Sequence, residues 1–414
     1  MKDRLYFDEY TLRNGMVVYH QPYDHPFVSM EVMLPVGHSH CTGDIIPGTF
    51  HFIEHTLAAR SKTFPERRGF MNWLDDRAGE FDAGTSPDFT RYQILVPGEI
   101  SKGSAEMLIQ HVFEPEILEE DLRLDRAVFP NEDKTYPWYP GTDELSHYLR
   151  TEWADDNPTP NRLRFGTEED LKNVTVEYLQ AIHTRTYLNS ANRIVVVGNM
   201  DIDAVCRKLE SYPTHAVSLP SEVREVKWLK KAFHVKPFRD VELYEYRIAG
   251  LFNERLSLEM GEGLQLLQTL LTNISKGPLF TWLRDTYACY NTHSSAGFNR
   301  NDAYWSIVCP LNSMEQVEEI RKALPKKILE GVSDQSKIDI AIQRKVKRLP
   351  LYDETLRDVA RTSADSIENL DRIVTHAEYR DILERFHDSQ KVMEIYNKFF
   401  APEHAGEFCA IPFE

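Results

Sequence analysis

A chain of 414 residues is too long for one ordinary hydrophobic core and divides most naturally into two domains. Hydrophobic residues at 42% and charged residues at 27% are the proportions of a folded protein, which excludes a disordered tail or a fibre. Lys plus Arg number 48 against 65 Asp plus Glu, and the net charge of -17 repels phosphate backbones and anionic lipid, so no nucleic-acid or membrane partner is expected and cationic ligands such as basic peptides are favoured.

From the N-terminus, MKDRLYFDEY has neither the apolar stretch of a signal peptide nor an Arg-rich transit pattern, and no later run approaches the roughly 20 apolar residues that span a bilayer. In residues 11–36, Asn14-Gly15 is a tight-turn signal and Val28, Met30, Val32 and Leu34 alternate, which predicts strand, turn, strand. A turn-rich stretch then leads into a helix over 50–60, with Thr49 as its N-cap. A second helix near 65–78, strands at 80–86 and 91–97, and a helix over 104–113 complete the order β, α, β, β, α.

Residues 191–201 read as a strand ending in a turn and are followed by a short helix and a polar, proline-bearing linker at 211–228. The second half repeats the first: a strand at 242–252, helices at 262–271 and 279–285, strands at 290–298 and 304–311, and a helix from 313. The fold class expected is α+β, with two homologous domains at 1–210 and 229–414, each a mostly antiparallel sheet with helices packed on one face. The five cysteines (Cys41, Cys206, Cys289, Cys309, Cys409) are scattered and never form a C-x-x-C pair, which fits reduced thiols in a cytoplasmic protein.

Chemistry concentrates in the first predicted helix. His51 and His55 are four apart and share a helical face, with Glu54 beside them. This H-x-x-E-H spacing offers two neutral nitrogen ligands to one metal ion and a carboxylate poised as general base. A catalytic zinc needs a third protein ligand, and Glu132 is the candidate. His38, His40 and Cys41 form a second cluster of ligand types, read as a solvated loop at the rim of the cleft. His111, on an otherwise apolar helix face, reads as a satisfied interior histidine.

TLRNGMVV, HFIEH, GEFDAGTSPDFTRY, LDRAVFPNE, the segment from FGTEED to VVVGNMD and, more weakly, KGPLFTWLRDTYACYNTHS occur in an order that resembles the pitrilysin (insulinase) metallopeptidase family, especially its short, mitochondrial-processing-peptidase-like branch. The resemblance implies Zn2+ held by His51, His55 and Glu132, which follows His55 by 77 residues (132 minus 55), and Glu54 as the base. It gives Asp125, seven residues before Glu132, a supporting role behind the ligands. Pro130 departs from a continuous helix, which would make Asp133 or Asp125 the alternative ligand.

The strand implied to hold substrate is Phe81, Asp82, Ala83, Gly84 and Thr85, with Asp82 where relatives carry Asn. The second half has no H-x-x-E-H; Tyr290 matches the family's Tyr there, and Arg284 is the nominee for its Arg. The activity implied is zinc-dependent endopeptidase cleavage of extended peptides or leader segments in a clamshell chamber. The rival reading is a non-catalytic peptide-binding or scaffold subunit of a heterodimeric peptidase. Because one chain supplies half a clamshell, a homodimer or a heterodimer with a related chain is expected.

Overall fold

Asn14 and Gly15 do turn the chain, with Gly15 at φ 88° and the Leu12 N–H bonded to the Met16 carbonyl at 2.9 Å. The computed structural model describes residues 7–135, 164–220, 233–239, 241–272 and 277–413. They fall into two units; the first holds the described residues up to 220 together with Pro350–Val374, and the second the described residues from 233 to Leu349 and from Thr375 onward.

The first unit contains β1 (Asp8–Thr11), β2 (Val17–Gln21), β3 (Phe27–Leu34), α1 (Thr49–Ala59), α2 (Gly69–Asp75), β4 (Glu80–Thr85), β5 (Thr90–Pro97), α3 (Ser101–Phe113) and α4 (Glu119–Thr135). After it come α5 (Glu168–Lys172), α6 (Val176–Thr186), β6 (Arg193–Val197) and α7 (Ile202–Glu210). The sheet order is β1-β2-β6-β3-β5-β4. β6 inserts between β2 and β3 and runs parallel to β2, with Val17 opposite Arg193; the other pairings are antiparallel. Val28, Met30, Val32 and Leu34 point to one face, where they join Tyr92, Ile94 and Val96 and the apolar sides of α1, α3 and α4 in a single core. Each such side chain contributes about 2 kcal/mol by leaving water.

The second unit contains β7 (His234–Phe238), β8 (Tyr244–Phe252), α8 (Leu258–Thr272), α9 (Pro278–Tyr287), β9 (His293–Phe298), β10 (Ala303–Leu311), α10 (Met314–Val332) and α11 (Gln335–Arg348). The chain then supplies α12 (Leu356–Leu370) to the first unit and returns with α13 (His376–Glu384), α14 (Ser389–Ile395) and β11 (Gly406–Pro412). Its sheet order, β7-β11-β8-β10-β9, repeats β2-β6-β3-β5-β4 strand for strand, including the one parallel pair. α12 lies within the range 229–414 expected for the second repeat, yet Leu356, Val359, Ala360, Ala364 and Ile367 pack on Val17, Tyr19, Met33, Val195 and Val197 of the first sheet. The face opposite the main helical layer therefore carries one further helix.

Candidate active site

α1 starts one residue earlier than the capping pattern predicts. Gly48 is the N-cap, at φ 86°, and a Cβ there would lie 2.6 Å from the Phe165 carbonyl oxygen, so only glycine fits this entry. Thr49 begins the helix and its hydroxyl donates to the Ile46 carbonyl at 2.6 Å. α4 continues as helix from Glu119 to Thr135, past the break expected at Pro130.

These two helices bring His51, His55 and Glu132 together. Glu132 Oε1 lies 3.5 Å from His51 Nε2, and its Oε2 lies 3.3 Å from His55 Nε2. All three ligand atoms lie within 4.8 Å of one another, the one such convergent set of His, Cys, Asp or Glu among the described residues. Phe129, one turn before Glu132 on α4, packs its ring 4.6 Å from that of His51 and 4.9 Å from that of His55, which fixes both imidazoles. Phe165 closes on His51 from another side at 5.1 Å.

Burial pushes the Glu132 carboxyl up, but the adjoining imidazoles of His51 and His55 outweigh it and hold the group below the ordinary carboxylate range. Burial lowers His55, while Glu132, Glu54 and Asp125 outweigh that effect and leave it above its usual value. Among the described residues, the buried Glu132 Oε2 has no hydrogen-bond partner. Two imidazole nitrogens and a carboxylate converging with acceptor capacity unmet are a donor set that fits zinc.

Glu54 is buried on the same helix, its Oε2 4.0 Å from His51 Nε2. Thr85, the last residue of β4, donates its hydroxyl to Glu54 Oε2 at 2.9 Å. Asp125 is buried two turns before Glu132 and accepts from Arg67 at 2.8 Å. Burial raises its carboxyl and Arg67 opposes that rise. Arg67 also donates to Asp121 at 2.7 Å, and Asp121 accepts from Arg60 at 2.7 Å, so the segment after α1 is tied to the first half of α4.

Among the described residues β4 is the edge strand, paired only with β5. Strand alternation places Phe81, Ala83 and Thr85 on the face of α1, and Glu80, Asp82 and Gly84 on the face of α12. Asp82 Oδ1 accepts the Ala83 N–H at 3.0 Å.

The expectation of a solvated loop at His38, His40 and Cys41 is corrected: all three are buried, His38 and His40 in a 3-10 turn and Cys41 at its C-cap. His40 Nδ1 accepts the Gly37 N–H at 3.1 Å, and burial pushes the Cys41 thiol up to about 11 against the N–H groups of Phe50, Thr49 and Gly48. This turn braces the start of α1. His111 is interior, but neither ring nitrogen has a partner among the described residues; it lies 4.9 Å from the Phe70 ring, and burial lowers it to about 4.

In the second unit, Phe298 occupies the position of Thr85, each ending its strand opposite the first residue of the next. Its ring covers Gly261 of α8, where a Cβ would meet it at 2.3 Å. An aromatic packed on glycine thus stands where the first unit has its threonine–carboxylate contact. Arg284 lies over the Tyr290 ring at 5.7 Å, and Tyr290 is 70% exposed. Phe129, Phe165, Arg67 and Asp121 were not legible as site residues, although the spacing 121, 125, 129, 132 marks one face of α4.

The model of "Insulinase (Peptidase family M16)" matches residues 16–152, and that of "Peptidase M16 inactive domain" matches residues 173–343. The insulin-degrading enzyme of Mus musculus is 23% identical over 215 residues, 47% of this chain but only 20% of that enzyme. The uncharacterized zinc protease YmxG of Bacillus subtilis is 25% identical over 296 residues, covering 69% of this chain and 70% of that protein. The crystal structure of a protease from Helicobacter pylori superposes with a TM-score of 0.78 at 19% identity, covering 98% of this chain and 100% of that one.

Proposed function

The chain belongs to the insulinase (M16) peptidase family, and on that premise we propose that it is a zinc-dependent endopeptidase acting on extended peptides or leader segments. The observation that carries the reading is the convergence of His51, His55 and Glu132 beside Glu54, with Glu54 linked to the end of the edge strand β4. His51, His55 and Glu132 would hold the metal; when bound, zinc acidifies water and polarises a scissile carbonyl. Glu54 takes the proton of the attacking water and returns it to the leaving amine. The buried setting of Glu54 and the hydroxyl of Thr85 hold the carboxylate in one orientation for both transfers. Substrate lies extended along β4 as an added strand, so main-chain pairing binds it with little demand on sequence.

Only the first unit has such a donor set among the described residues, and a heterodimer or homodimer supplies the second half of the enclosure. Five free thiols support a reducing, cytoplasmic setting, and no helix among the described residues is long and apolar enough to cross a membrane.

Metal analysis combined with peptide cleavage tests the proposal. Wild type carries about one zinc per chain and cleaves, whereas Glu54→Gln keeps the metal and loses activity by about 10²-fold or more. Retained zinc with no cleavage in wild type as well would favour the non-catalytic peptide-binding subunit.

A further inference from the structure

Cys289, Cys309 and Cys409 lie in the second unit, and the first two meet. α9 ends at Tyr287, and its C-cap, Ala288, takes the left-handed conformation at φ 56°, which turns the chain back so that the Cys289 N–H bonds to the Leu283 carbonyl at 3.3 Å. Cys289 is thereby buried, at 2% exposure, between the exposed residues Ala288 and Tyr290. Its Sγ lies 3.3 Å from Thr292 Oγ1. On β10, Val308 pairs with His293, so Cys309, one residue on, stands level with Thr292. There the buried Cys309 thiol hydrogen-bonds to that of Cys289.

The two sulfurs are not equivalent. Contact with Cys309 lowers the Cys289 thiol below its usual range, with burial opposing and Thr292 assisting, and the same contact raises Cys309. Cys289 is therefore the sulfur poised as a thiolate. Burial raises Cys41, Cys206 and Cys409 instead. Cys409 cannot take the place of Cys289, because Cys309 and Cys409 both stand opposite Tyr246 on β8 and lie on either side of it. Two strand spacings separate them by about 10 Å, whereas a disulfide bridges α-carbons no more than about 7 Å apart.

We propose that Cys289 and Cys309 are a hydroperoxide-reactive dithiol that closes to a disulfide and so fastens the exposed segment around Tyr290 to β10. The Cys289 thiolate attacks one oxygen of the hydroperoxide and the O–O bond breaks; the departing oxygen takes up the thiol proton, leaving Cys289 as a sulfenic acid. The Cys309 sulfur then attacks the Cys289 sulfur, the S–O bond breaks, and hydroxide leaves as water with the Cys309 proton. Both thiols are oxidised to one disulfide and the hydroperoxide is reduced. A water-sized oxidant suits the site, since only the short segment at 288–291 separates Cys289 from solvent. In a reducing setting thiol exchange reopens the bond.

The test treats the full reduced chain with hydrogen peroxide, blocks the remaining thiols with N-ethylmaleimide in denaturant and maps tryptic peptides without reductant. Trypsin cuts after Arg284, Arg300 and Arg321, so Cys289 and Cys309 fall on separate peptides, 285–300 and 301–321, which stay joined only through the new bond. The joined pair should form at least about fivefold faster than the half-buried Cys206 is oxidised, and dithiothreitol should separate it. Cys309→Ala should leave Cys289 as a sulfenic acid that dimedone traps, whereas Cys289→Ala should leave Cys309 a free thiol. A wild type that yields no joined pair, yields it only in urea, or passes Cys289 to the sulfinic acid while Cys309 stays a thiol overturns the proposal. Prior oxidation of Cys206 does so too. The wild-type map decides alone if either variant fails to fold, and no readout depends on peptide cleavage.

Discussion

His51 keeps 3% of its side chain exposed, whereas His55 and Glu132 keep 22% and 20%, so the donor set opens to solvent on the side of the latter two. Glu132 reaches both imidazoles and Asp125 reaches Arg67, which sets the order of two substitutions. Glu132→Gln should weaken zinc binding far more than Asp125→Asn in competition with a chelator; the reverse order would make Asp125 the ligand. His111 gives a second expectation at this scale. Its value falls to about 4 on folding, so between pH 6.5 and pH 4 the unfolded chain binds more protons and stability is lost as the pH drops. His183, lowered to about 4 by burial despite its contact with the Val112 carbonyl at 2.8 Å, acts in the same direction. The cost per histidine is on the order of 2–3 kcal/mol by pH 4. His111→Leu should narrow the gap between urea midpoints at pH 7 and pH 5; an unchanged gap would show that His111 does not carry it.

At the scale of elements, α1 and α4 are held in register by packing through Phe129 and by the Arg60, Asp121, Arg67 and Asp125 network. Asp121 has no exposed surface and accepts from both arginines, while Arg67 keeps 30% of its side chain exposed, so solvent softens the loss when the carboxylate is removed. Asp121→Asn should cost about 2–3 kcal/mol in urea unfolding. A change below about 0.5 kcal/mol would mean that the aromatic contacts hold α4 unaided. α1 and α3 were legible from the sequence pattern, and with β4 and β5 they lie within a few residues of expectation. The continuation of α4 past Pro130 was not, because a proline forbids one backbone bond locally while neighbouring turns and the buried face of the helix sustain the rest.

For the whole molecule, the five-strand order that the two sheets share marks a duplication in which one copy carries His51, Glu54 and His55 on its first helix and the other has Gly261 under Phe298. An edge strand at β4 is what strand addition requires, yet an open edge is also a liability in a free protein, and on the proposed function a second chain would answer both demands. Sedimentation at micromolar concentration should therefore show a dimer, alone or with a related chain from the same source. A fully active monomer would remove the need for a second half.

The sequence by itself determined what is local or fixed by spacing: the turn at Asn14-Gly15, the alternation of β3, the shared helical face of His51 and His55, and the repeated element order. Periodicity of side chains along one segment is enough for these, because each depends on residues a few positions apart. Only the tertiary structure decided that β6 inserts between β2 and β3, that α12 crosses to the first sheet, that His38, His40 and Cys41 are buried, and that Thr85 meets Glu54. Those contacts join segments far apart in the chain, and their stability comes from the apolar surface and hydrogen-bond partners that only the assembled layers supply.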